Sequence, residues 1–196
     1  MRQLGPYQFT VASTPDQLEQ VYRLNYAAFV VELGQHRDDG SGRLVDKFDQ
    51  KNIYLVALRA GRVVGMVTVH GEPPFSTAQR LPDQSLLDSI GGKPLEVRLL
   101  TIDPEERQRM VFAGLLWHVQ EYAAEKGYTH LLISGYVKRL AIYERLGFRA
   151  LGPPVPSGNA QYVPMILALS EMPERICREI EIVRKRFRRS VRGHEV

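Results

Sequence analysis

Leu95-Glu96-Val97-Arg98-Leu99-Leu100-Thr101-Ile102-Asp103-Pro104-Glu105-Glu106-Arg107 is the stretch whose reading decides the fold. Leu95 to Ile102 is rich in aliphatic and β-branched residues and predicts a strand; Pro104, lacking an N–H for a ladder, marks its end. Met110 to Lys126 then repeats its apolar residues at helical spacing. Phe112, Leu115, Leu116, Val119, Tyr122 and Ala123 form the main stripe, and Gly127 follows as a C-cap. Trp117 lies off that stripe and is read as packed beneath a neighbouring element, while His118 falls on the polar side near Glu121 and Glu125 and is given no role. His130 to Ser134 reads as a buried strand. Strand, helix and strand in this order form a crossover, which returns right-handed and favours a parallel pair. A crevice for a ligand is expected where such a pair forms in the sheet.

Upstream, Tyr7 to Ala12 predicts a first strand, and Thr14-Pro15-Asp16-Gln17 supplies a capping box with proline at the first helical position. Leu18, Val21, Tyr22, Asn25 and Phe29 continue that helix to Gly34, and Gln35 to Lys51 is a long polar loop. Asn52 to Ala60 and Val63 to His70 form a hairpin turning at Ala60-Gly61-Arg62. Glu72 to Pro94 is irregular, with a short helix around Ser85 to Ser89. Downstream come a short helix from Val137 to Leu146 and strands at Phe148 to Leu151 and Tyr162 to Leu169. The order predicts an α/β (α+β) class, a mixed sheet with helices on its faces.

At 196 residues, with 44% apolar and 24% charged side chains, the chain suits one well-buried domain. Its apolar runs are strand-sized, so no membrane span is expected, and no secretory signal is read at the N-terminus. The lone Cys177 cannot form an internal disulfide, fits a reducing cytoplasm and is read as a small apolar residue. No Cys/His cluster has metal-ligand spacing, so no metal site is expected. The net charge of +4 is uneven: residues 171–196 hold eight Lys/Arg against five Asp/Glu, leaving the rest almost neutral.

The segment from Glu96 to Phe148 resembles the core of the GNAT acyltransferases. Ile102-Asp103-Pro104-Glu105-Glu106-Arg107 matches their hydrophobic-x-Pro-x-x-Arg pattern, Leu115-Leu116 falls at the expected offset, and Tyr143-Glu144-Arg145-Leu146-Gly147-Phe148 matches their Tyr-x-x-x-Gly-Phe. The resemblance implies a three-layer fold with a mostly antiparallel central sheet. It also implies a pantetheine thioester as donor co-substrate, acyl-CoA or acyl-phosphopantetheine, with no bound prosthetic group. Leu100, Thr101 and Ile102 would present backbone to the pantetheine. Arg107, Gln108, Arg109 and Met110 would meet its phosphate, which a helix N-terminus suits; the alternative is that Arg107 and Arg109 are solvated loop charges. Family members commonly have glycine where Met110 and Phe112 stand, and this added bulk argues against a full pyrophosphate unless Phe112 turns into the core. The donor is therefore read as an acyl-carrier protein or a long-chain acyl-CoA.

The N-terminal half looks like the acyl-homoserine-lactone synthases and the related long-chain N-acyl amino acid synthases, through Asn25, Phe29, Asp46, Asp49, Gly65 and Glu96. The lactone synthases have arginine at the positions of Asn25 and Thr68 and tryptophan at that of Gln35, and their Glu-x-x-Arg is Glu96-Val97-Arg98 here. These departures disfavour S-adenosylmethionine as acceptor and favour the N-acyl amino acid branch. Residues 1–170 are accordingly read as an acyltransferase domain, and residues 171–196, from their charge and spacing, as a basic amphipathic helix.

An ammonium cannot attack a thioester, so the reaction needs a base, and the leaving thiolate benefits from an acid. Glu96 is the candidate base, acting directly or through water, with a pKa expected to be raised by an apolar crevice; the alternative is an ion pair with Arg98. Tyr143 is the candidate acid, the alternative being a core tyrosine with a satisfied hydroxyl. Asp46 and Asp49 would bind an acceptor's ammonium group, with Arg98 beside them as a further substrate residue, or the two aspartates solvate their loop. His70 is either a second base or a satisfied strand-end residue.

Ile176, Ile180, Val183, Phe187 and Val191 recur at helical spacing among Arg184, Lys185, Arg186, Arg188 and Arg189. Such a helix packs on its own domain or on a homodimer mate, meets an acidic carrier protein, or lies on an anionic membrane surface. Nucleic acid is disfavoured because the near-neutral body offers no extended basic surface. The leading function is N-acyl transfer of a medium or long chain to a small-molecule amine in the cytoplasm. The alternatives are acetyl-CoA-dependent N-acetylation and a non-catalytic acyl-binding module.

Overall fold

The computed structural model describes residues 2–107 and 109–192. β1 (Arg2–Leu4) pairs antiparallel with β2 (Tyr7–Val11). β1 is absent from the sequence expectation because three residues are too few for alternation to register. α1 (Pro15–Tyr26) starts as expected: the Thr14 hydroxyl accepts the Gln17 N–H at 3.2 Å, and the Gln17 side chain accepts the Thr14 N–H. The helix runs on into a π-helical turn, Ala27–Glu32, and Gly34 ends it at φ +59°.

After the long loop and a 3₁₀ turn at Asp49–Lys51, β3 (Ile53–Arg59) and β4 (Arg62–His70) form the expected hairpin. Ala60 and Gly61 both adopt positive φ there, as a tight two-residue turn demands. Next come α2 (Ser85–Asp88), β5 (Pro94–Ile102), α3 (Arg109–Glu125), β6 (His130–Tyr136), α4 (Leu140–Arg145), β7 (Arg149–Ala150), β8 (Val155–Ser157), β9 (Ala160–Ala168) and α5 (Glu174–Arg192). The strands build a mixed, mostly antiparallel sheet ordered β1-β2-β3-β4-β5-β6-β9-β7, with β8 on β9. The parallel pair around α3 is β5 with β6, from Pro94↔His130 to Glu96↔Leu132; β6 continues to Tyr136 against β9. No helix among the described residues is long and apolar enough to cross a membrane.

The chain folds as two compact units. The first draws on Met1–Thr68, Leu99–Glu121 and Arg178–Val196. Its core joins Val21 of α1 to Tyr54, Val56, Leu58, Val63 and Met66, with Leu18, Tyr22 and Leu99 packed against them. The second draws on Val69–Arg98 and Tyr122–Cys177, and there Phe75, Leu132 and Ile166 pack together with Leu87, Ile90 and Leu151.

Two expectations for α3 need correction. Its fully buried row is Val111, Leu115, Val119 and Ala123: the last three lie on the predicted stripe and Val111 joins them, whereas Phe112, Leu116 and Tyr122 of that stripe are only half-buried. His118, assigned to the polar side, is buried, and so is Trp117 at 3% exposure, beneath the Arg2 guanidinium 4.8 Å from its ring. A helix covered on more than one side carries no single stripe from which its buried face can be read. Cys177 is exposed rather than a small core residue. On α5, Ile176 and Ile180 are buried, so the C-terminal helix packs on the chain itself.

Candidate active site

Glu96 points into the second unit and is completely buried. The chain turns around it at Ser76-Thr77, where two successive N–H groups and two hydroxyls converge on the carboxylate. Ser76 N–H donates at 2.8 Å and its hydroxyl at 3.0 Å; Thr77 N–H donates at 2.6 Å and its hydroxyl at 2.5 Å. His70 Nε2 completes the set at 2.9 Å, and Arg98 Nε stands 3.9 Å away, so the Arg98 pairing weighed from sequence is present but loose. Burial is the largest single influence and pushes the carboxyl up. The donors from His70, Thr77 and Ser76 together outweigh it and hold the pKa down at about 2. The expected upward shift is therefore reversed, because the crevice is lined with donors and not with apolar groups.

His70 is buried and stacked on Phe75 with ring centroids 5.6 Å apart. Its Nδ1 faces the Glu72 carbonyl at 3.1 Å, so each ring nitrogen meets an acceptor. Arg80, which sequence reading did not single out, is half-buried, donates to the Ser76 carbonyl at 3.0 Å and lies over the Tyr162 ring at 5.1 Å. Tyr143 on α4 lies against Gly135 of β6, where a Cβ would come within 3.0 Å of its ring. Burial raises the Tyr143 pKa, with the Tyr136 backbone and Arg139 pulling the other way, so the phenol keeps its proton.

In the first unit, β5 carries an irregularity that no sequence pattern announced: Leu99 has φ +52°. A left-handed residue inside a strand interrupts its regular ladder and redirects the residues after it. Leu100 is 40% exposed, whereas Thr101 is buried. Beyond Ile102, Asp103 caps a 3₁₀ turn, Pro104–Glu106, accepting the Glu105 N–H at 3.0 Å, and its own N–H donates to Val64 at 3.0 Å. Glu106 is buried, accepting the Tyr7 hydroxyl at 2.6 Å and the Arg59 guanidinium, which together hold its carboxyl low. This anchor was invisible in the sequence, because Tyr7 and Arg59 lie far from Glu106 along the chain.

Arg107 donates to the Ile102 carbonyl at 3.3 Å and to the Glu32 carboxylate. Gln108 lies outside the described residues, Arg109 begins α3, and the Met110 thioether lies beside Gly5, 3.4 Å from where a Cβ would stand. Asp46 and Asp49 both have side-chain partners. Asp46 accepts from the Asn52 amide at 2.7 Å, and Asp49 accepts the Tyr22 and Tyr54 hydroxyls at 2.9 and 2.5 Å. Tyr22, Asp49, Asn52 and Tyr54, together with Val11 and Leu18, line a cavity of about 160 Å³. Asn52 Oδ1 is buried there with no hydrogen-bond partner among the described residues.

Solved structures reproduce the fold. A synthase named FeeM, an N-acyl amino acid synthase from uncultured soil microbes, is 18% identical with TM-score 0.70, over 84% of this chain and 91% of that one. The CoA-dependent acyl-homoserine lactone synthase BjaI, solved with SAM and isopentyl-CoA, is 20% identical with TM-score 0.66, over 92% and 89%. The CoA-dependent acyl-homoserine lactone synthase MesI is 17% identical with TM-score 0.65, over 92% and 95%. No curated protein matches the chain by sequence. The family described as N-acyl amino acid synthase FeeM matches residues 20–170, most of the chain, and this protein therefore belongs to that family of acyltransferases.

Proposed function

We propose that this acyltransferase moves a medium or long acyl chain from a pantetheine thioester to the amine of an amino acid. The observation that carries the reading is the left-handed Leu99 within β5, between the enclosed Glu96 anion and the loop ending at Arg107. An interrupted ladder leaves strand backbone for a ligand, and the N–H of Leu100 or a neighbour would polarise the thioester carbonyl. The backbone of Thr101 and Ile102 would follow the pantetheine arm; Arg107, Arg109, Met110 and Gln108 would form the cradle for its phosphate.

In this reading the amine nitrogen attacks the thioester carbon, a C–N bond forms and the C–S bond breaks. A carboxylate with a pKa of about 2 is too weak a base to hold an ammonium proton. The ammonium proton therefore leaves through water to solvent, while His70, with Nε2 on the Glu96 carboxylate and Nδ1 facing the Glu72 carbonyl, holds that carboxylate in place. Tyr143, whose phenol stays protonated, donates to the departing thiolate and recovers a proton from the nitrogen as the amide forms. Asp49, beside the cavity of the first unit, suits an ammonium group, with Asp46 holding Asn52 in place; Arg98, in the second unit, is by itself suited to a carboxylate.

The test is thiol release from one acyl series presented on a carrier protein and on coenzyme A, with pooled amino acids, followed by mass spectrometry of the products. N-acyl amino acids from the longer donors are expected. Turnover of acetyl-CoA alone, or release from no donor, overturns the proposal.

A further inference from the structure

Arg107 is not waiting alone for a phosphate. Glu32, at the last position of the π-helical turn, places its carboxylate on the Arg107 guanidinium. A π turn carries an extra residue and re-aims the chain beyond it, which brings residue 32 to a loop 75 residues further along the sequence. Both side chains are partly exposed, at 46% for Arg107 and 38% for Glu32, so an incoming anion can reach the pair. Arg107 thus meets its donor with a carboxylate already at its side, and any phosphate it takes comes close to that negative charge.

The two donor types differ in the charge they bring. A carrier-bound pantetheine arm has one phosphodiester with a single negative charge, whereas coenzyme A adds a pyrophosphate and a ribose phosphate. Repulsion between like charges a few Å apart grows with each added charge and is only partly screened at a surface. We infer that Glu32 is a specificity-determining residue that, through its contact with Arg107, disfavours pyrophosphate-bearing donors and leaves the single phosphodiester of a carrier-bound arm acceptable.

This inference rests on the reading that the Arg107 loop holds the donor's phosphate, and the experiment separates the two. One acyl chain is presented as acyl-CoA, as acyl-carrier protein and as phosphate-free acyl-pantetheine, and kcat and KM are measured for the wild type, Glu32→Gln and Arg107→Ala. Glu32→Gln is expected to raise the ratio of kcat/KM for acyl-CoA over acyl-pantetheine by about three- to tenfold, through KM. The ratio for the carrier-bound donor should move by less than about twofold. Arg107→Ala should lower both phosphate-bearing donors relative to acyl-pantetheine. If Arg107→Ala acts this way while Glu32→Gln leaves the CoA ratio unchanged or moves both donors alike, the Glu32 inference fails and the loop reading stands. If Arg107→Ala leaves all three donors in their wild-type proportions, the loop reading and the inference fall together.

Discussion

The Glu96 carboxylate is enclosed by donors from His70, Ser76 and Thr77, and its ionised form is what they stabilise. With a pKa lowered from 4.5 to about 2, it contributes stability that is fully present above pH 4.5 and lost as pH falls toward 2. The depression corresponds to about 3 kcal/mol. Glu96→Gln would turn an amide NH₂ toward groups that are themselves donors, and should cost about 3 kcal/mol at pH 7. Urea unfolding at several pH values checks this: the gap between wild type and variant should close as pH falls from 4.5 toward 2. Glu96 could be picked out as a charged residue on an apolar strand. The sign of its shift could not, because the deciding donors are His70 at the end of β4 and Ser76-Thr77 in a loop, all distant from Glu96 along the chain.

At the scale of elements, local chemistry was legible where neighbours in sequence make the bond. The Thr14 capping box and the Ala60-Gly61 turn involve only adjacent residues, and both form as read. The face of α3 was legible only in part: Leu115, Val119 and Ala123 are buried as read, but Val111 and His118 are buried too, because three dimensions decide what covers the helix. Gly114 illustrates the difference. Alanine in a helix is favoured over glycine by about 1 kcal/mol, yet a Cβ at Gly114 would stand 2.2 Å from the Phe9 ring, which is wholly buried. Overpacking of this kind costs about 1 to 3 kcal/mol and outweighs the propensity gain. Gly114→Ala should therefore lower the urea midpoint, and an unchanged or raised midpoint would show that Phe9 yields freely.

For the whole molecule, the net charge of +4 with its surplus in residues 171–196 bears on association more than on fold. Attraction between that surplus and an acidic carrier protein would be weakened by salt. Raising ionic strength from about 0.05 to about 0.5 M should lower kcat/KM for a carrier-bound donor several-fold more than for acyl-pantetheine. Equal salt effects on both donors would remove the C-terminal charge from the account. The sequence by itself determined the order of the longer strands and helices (β1 and β8 apart), the parallel pair about α3 and the acyltransferase family, because each rests on short-range pattern or ordered motifs. Only the tertiary structure decided that Glu96 is held at low pKa, that Leu99 interrupts its strand, that Glu106 is clamped by Tyr7 and Arg59, and that Glu32 meets Arg107. Each depends on groups far apart in the chain or on a backbone angle, and their meeting is fixed by packing, which leaves no local mark in the sequence.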